Sequence, residues 1–125
     1  APTTTCCARR QSHRATTRAW RAVTAIEPGA RLVCFGHMGD GNLHYNVSQP
    51  AGGEPAAFLA LYRDMNDAVH EVVRAMGGSI SAEHGIGRMK RDELLATAPP
   101  VAIALMRKVK AALDPAGIMN PNKVI

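Results

Sequence analysis

The chain has 125 residues, 46% of them hydrophobic and 20% charged, with a formal net charge of +5. No apolar run is long enough to cross a bilayer, so the expectation is one soluble globular unit with a modest core and no transmembrane segment. The basic excess sits in Arg9, Arg10, Arg14, Arg18 and Arg21, all ahead of the first acid, Glu27, and the remaining basic and acidic residues cancel; without interleaved aromatics this speaks against a nucleic-acid partner.

Residues 1–26 read as a poorly patterned basic head, possessing no sustained periodicity to about residue 16, then a short helix from Thr16 to Ile26. The head has the composition of a foreign or disordered stretch. It also has the acid-free Ala, Arg, Ser and Thr content of a transit peptide, although the bacterial cytoplasm is the expected location. Cys6, Cys7 and Cys34 are odd in number and badly spaced, which argues against a disulfide framework and for a reducing compartment.

After the Pro28-Gly29 breaker, Arg31 to His37 is a compact apolar run of strand type and Asn42 to Ser48 alternates as a second strand. Asp40-Gly41 between them is a dipeptide favoured in tight hairpin turns. Pro55 opens a long amphipathic helix in which Phe58, Leu61, Tyr62, Met65, Val69, Val72, Val73 and Met76 form one stripe facing the core, ended by Gly77-Gly78. His70 falls off the stripe and is expected at the surface. Ser79 to Ala82 reads as a short strand leading into Glu83-His84-Gly85-Ile86-Gly87. Arg88 to Thr97 and Val101 to Leu113 read as helices, the second stopped by Asp114-Pro115 and Gly117. This order predicts an α+β fold, an antiparallel sheet covered on one face by helices.

A turn centred on Asp40-Gly41 places His37 directly opposite His44, with both imidazoles on one face and Cβ atoms about 5 Å apart, close enough to share a cation. Glu83-His84 holds the remaining acid and imidazole density. Two histidines and one carboxylate with open positions suit a catalytic zinc, or manganese or iron. Adjacent side chains on an extended strand point to opposite sides, so Glu83 and His84 are expected to differ in role, one as ligand and the other in acid/base or substrate contact. The glycines at 36, 39, 41, 85 and 87 match neither Rossmann nor P-loop spacing.

Three segments in order, Phe35-Gly36-His37-Met38-Gly39-Asp40-Gly41-Asn42-Leu43-His44-Tyr45-Asn46, Gly78-Ser79-Ile80-Ser81-Ala82-Glu83-His84-Gly85-Ile86-Gly87 and Asp114 to Lys123, resemble the C-terminal domain of FAD-linked oxidases of the vanillyl-alcohol oxidase superfamily. That family includes D-lactate dehydrogenases, the flavin subunit of glycolate oxidase and D-2-hydroxyglutarate dehydrogenases, and the wording around Ser79–His84 together with Asn46 is nearest the last. The resemblance covers residues from about 30 onward and implies a domain over 27–125 that is a fragment of a larger enzyme.

It further implies a divalent metal, zinc for preference, on His37, His44 and Glu83, with His84 as general base and Asn46 against a small 2-hydroxy acid substrate. Arg88 and Lys90 become candidates for a carboxylate clamp, while Asn120 and Lys123 are placed near the flavin. FAD would be held mainly by an upstream domain absent from these residues, so flavin binding and turnover by this chain alone are expected to be weak or nil. A homodimer is compatible with the resemblance. Apart from it, the same ligands suit a metal-dependent hydrolase, and the chain also suits a non-catalytic piece packed on a partner bearing the flavin domain.

Overall fold

The computed structural model describes residues 3–7, 12–37 and 39–125, and the chain divides into two units, Ala1–His84 and Gly85–Ile125. In the first unit the elements are β1 (Thr3–Cys7), α1 (Ser12–Ile26), β2 (Arg31–His37), β3 (Asn42–Ser48), α2 (Pro55–Ala60) and α3 (Tyr62–Ala75). The second holds α4 (Arg91–Thr97) and α5 (Pro100–Leu113). The fold is α+β, with an antiparallel sheet in the order β1-β3-β2.

The alternation of β3 separates two faces. Leu43, Tyr45 and Val47, with Leu32 and Cys34 of β2, turn toward the helices, where Tyr45 and Val47 join Ala19, Val23, Phe58, Met65, Val69 and Val73 in the core. Asn42, His44 and Asn46 share the opposite face with Val33, Phe35 and His37, because antiparallel partners project to the same side. Val33 and Phe35 are more than half exposed there, so the helices cover one face only.

The head behaves differently from the sequence expectation. Helix α1 begins at Ser12, not Thr16, and packs on α3; β1, in a stretch read as lacking structure, pairs with β3. Ala15, Ala19 and Val23, each buried, recur every four residues, while Arg14, Arg18 and Arg21 are exposed. Two of those three core contacts are methyl groups, too small to stand out as an apolar stripe in a basic stretch, yet their size allows close helix approach.

The long amphipathic helix is present as α2 and α3, separated at Leu61, whose N–H bonds the Phe58 carbonyl three residues back, 3.1 Å. Of its stripe, Phe58, Met65, Val69 and Val73 are buried and Leu61, Tyr62, Val72 and Met76 are half-buried. His70, expected at the surface, is 1% exposed and faces the interior. Ser79 to Ala82 forms no strand beyond a single bridge residue, Ser79. The Ser79 hydroxyl donates to the Ser81 carbonyl at 3.1 Å and accepts from the Ser81 N–H at 3.3 Å, a local arrangement that competes with a ladder.

In the second unit α4 starts three residues later than expected, after turns through residues 87–90. Gly87, at φ +55, bends the chain there, and its carbonyl accepts from the Val124 N–H at 2.9 Å. Helix α5 stops at Leu113, where buried Asp114 accepts from the Ile118 and Met119 N–H groups (2.9 and 3.0 Å) and from Lys110 Nζ. The Lys110 ammonium and those amides hold the Asp114 carboxyl below its ordinary pKa.

Candidate metal and active site

The hairpin does not turn where the sequence suggested. His37 pairs with Asn42 and Phe35 with His44, so the loop is longer than a two-residue turn. Positive φ occurs at Gly41 (+73) and not at Asp40, whereas the tight turn needs it at both. The Gly41 N–H bonds the His37 carbonyl at 3.0 Å, and the Asp40 carboxylate accepts from the Asn42 N–H at 3.0 Å, closing the wider loop. His37 and His44 are therefore diagonal neighbours instead of direct partners. They still share a face, because the register differs from the expected one by an even number of residues and side chains alternate with period two. Their ring centroids are 6.1 Å apart.

Glu83 lies between them. Its Oε1 is 3.5 Å from His37 Nδ1 and its Oε2 3.4 Å from His44 Nε2, and the ligand atoms of all three residues fall within 4.8 Å of one another. Ligands bound tetrahedrally at about 2.0–2.1 Å stand roughly 3.3 Å apart; the two contacts, one to each carboxylate oxygen, are near that spacing, while the 4.8 Å spread of the ligand atoms is wider. The donor set, two neutral-capable imidazoles and one carboxylate, is that of a three-ligand site with positions left open. His44 is largely covered while His37 is 60% exposed, so one side of the cluster faces solvent.

Two buried amide oxygens, Asn42 Oδ1 and Asn46 Oδ1, have no hydrogen-bond partner among the described residues, and they flank His44 on the same strand face. Each such orphan costs about 1–3 kcal/mol unless a ligand or water satisfies it. The His84 ring stands 6.0 Å from His44 at 62°, outside the cluster of ligand atoms.

Two residues of this site escaped the sequence reading. Phe35 stacks on His44, centroids 4.8 Å apart and 9° from parallel, and Asn42 donates from Nδ2 to Glu83 Oε1. Both signals were present as parity: Phe35 and His37 are two apart, as are Asn42 and His44. Beside His37, a cavity of about 360 Å³ is lined by residues that include His13, Cys34 and Phe35.

The second unit brings together Arg88 and Lys123 in one cavity of about 440 Å³, with Arg91, Asp92 and Asn122. Lys90 and Asn120 are not among the residues lining it; the Asn120 carbonyl accepts from the Lys123 N–H at 3.3 Å. Arg91, a third cation here that the sequence did not single out, has its Nε buried without a hydrogen-bond partner among the described residues.

Residues 6–124 match the family described as FAD linked oxidases, C-terminal domain. The chain is 46% identical over 97 residues to a D-2-hydroxyglutarate dehydrogenase of Stutzerimonas stutzeri, covering 78% of this chain and 21% of that protein. It is 44% identical over 101 residues to the mitochondrial D-2-hydroxyglutarate dehydrogenase of Bos taurus (80% and 18%). To an uncharacterised FAD-linked oxidoreductase of Mycobacterium tuberculosis it is 40% identical over 104 residues (83% and 21%). The chain thus spans about a fifth of the length of the curated relatives it matches. Those relatives include bacterial and mitochondrial proteins, and no helix among the described residues is long and apolar enough to cross a membrane.

Proposed function

Because the chain belongs to the family of FAD linked oxidase C-terminal domains, we propose that it supplies the metal-binding and proton-accepting side of an FAD-dependent D-2-hydroxy acid dehydrogenase. The observation that carries the proposal is Glu83 set between the imidazoles of His37 and His44, with the His84 ring alongside. D-2-hydroxyglutarate is the substrate favoured by the relatives' names, with D-lactate as the nearest alternative in class.

In this reading His37, His44 and Glu83 hold a divalent metal, zinc by its donor preference. When bound, that ion would supply a Lewis acid that acidifies the substrate hydroxyl, and FAD would supply the acceptor for the hydride leaving C2. His84 takes the hydroxyl proton as general base. Asn46 offers a buried amide oxygen on the metal-facing side of β3, an acceptor to which a substrate hydroxyl can donate. Phe35 fixes the His44 plane by stacking and shields one side of the site from water.

Arg88 and Lys123, with Arg91, form a cationic cavity assigned here to an anionic group of substrate or flavin. Lys90 and Asn120 are retained as contributors from the same unit. FAD is held mainly by a flavin domain in the longer protein, and the exposed Val101, Leu105, Val109 and Leu113 along α5 suit packing against such a partner. The bacterial cytoplasm is the proposed location, with the mitochondrion of several relatives as the alternative.

The test separates ligands from base. His37→Ala should lose zinc, while His84→Ala should keep it, measured as metal content of the purified chain. In the longer flavoprotein, His84→Ala should abolish dye reduction by D-2-hydroxyglutarate. Loss of zinc from His84→Ala would overturn this division of roles.

A further inference from the structure

We infer that Asn42 is the positioning residue that presents Glu83 to the cation, an inference that rests on the metal reading above. The two histidines stand on a hairpin whose strands fix their places, but Glu83 comes from a bend at residues 82–84 with no regular structure. A carboxylate on such a segment needs an anchor. The imidazole nitrogens at 3.4 and 3.5 Å are the atoms that would turn to an ion, so they cannot also anchor the carboxylate once the ion is bound.

Asn42 supplies a donor that no ion would claim. Asn42 is 3% exposed, and its Nδ2 donates to Glu83 Oε1. A carboxylate only accepts, so the amide must turn its NH2 group to Glu83, leaving Oδ1 without a partner among the described residues. Being neutral, the amide orients the carboxylate without cancelling the charge that attracts a cation, as Arg or Lys would. Asn42 is itself fixed: it pairs with His37 across the hairpin, its N–H is held by Asp40 at 3.0 Å, and Gly36 backs onto its carbonyl. One rigid turn thereby sets both imidazoles and, through Asn42, the third ligand.

A double-mutant cycle on zinc affinity of the full chain, by competition with a chromophoric chelator, tests this. Asn42→Leu should weaken zinc binding about 10–100-fold, the usual cost of losing a group that orients a ligand. In a Glu83→Gln background the same change should weaken it no further, since the residue acts only through Glu83. Asn42→Ser, too short to reach the carboxylate, should behave like Asn42→Leu and serves if the leucine variant does not fold, as judged by circular dichroism. Affinities within twofold of the parent, or losses that multiply in the double variant, would overturn the inference. If Glu83→Gln weakens binding and the Asn42 variants do not, this inference alone fails. If the parent chain takes up no zinc, the metal reading fails and takes this inference with it.

Discussion

Replacing Gly36 by Ala should both destabilise the first unit and disturb its site. A Cβ at residue 36 would lie 2.0 Å from the Asn42 carbonyl oxygen and 3.0 Å from the Asn42 carbonyl carbon and Leu43 Cα. All three are backbone atoms of the paired strand, so no side chain can swing aside. β2 and β3 must separate by roughly 1 Å at the end that carries His37 and Asn42, and such overpacking costs about 1–3 kcal/mol. For a unit of this size each kcal/mol lowers the melting temperature by about 4–8 °C, so a fall of roughly 10 °C is expected. The shift also moves His37 away from Glu83, and zinc affinity should drop with stability. Thermal unfolding followed by circular dichroism, with a zinc titration on the same sample, reads both. A Gly36→Ala chain that melts within 1 °C of the parent and binds zinc equally well would refute the close approach of these strands.

Two further outcomes follow from the packing and the charges. Val23, fully buried on α1, should cost about 2 kcal/mol when cut to Ala, whereas Arg18→Ala on the exposed side of the same helix should stay within about 0.5 kcal/mol; urea unfolding separates them, and equal effects would contradict the place of α1 in the core. Asp114 has a folded-state pKa below its ordinary 3.8, so its carboxylate favours the folded state at pH above that value, and the contribution fades as pH falls through the lowered pKa. Protection of the Ile118 and Met119 amides, relative to intrinsic exchange at the same pH, should therefore fall as pH drops below 3.8 in the parent and be low throughout in Asp114→Asn; no difference between the two chains would remove the cap.

What could be read from the residues alone followed periodicity. The α3 stripe and the α5 stop were legible because large apolar side chains recur on one face and Asp114-Pro115 cannot continue a helix. The site's face was legible for a subtler reason: the loop length was misjudged, yet a register change of even size leaves every side chain on the same side of the sheet. The rest depended on contacts that leave no local pattern. Ala15 and Ala19 are core residues by fit, not by hydrophobicity; His70 is buried by the elements around α3; and the serines at 79 and 81 bond each other in place of a strand. Parity with His44 puts Asn42 on the face of the site, but its role depends on Glu83, distant in sequence, which accepts its amide hydrogen.

The most direct test of the metal site is X-ray absorption at the zinc edge on the chain loaded with one equivalent of zinc. Two imidazole shells at about 2.0–2.1 Å with the remaining neighbours oxygen, and loss of one imidazole in His37→Ala, are the predicted result. A sulfur neighbour near 2.3 Å, or a shell of oxygen alone, would mean that His37, His44 and Glu83 do not hold the ion.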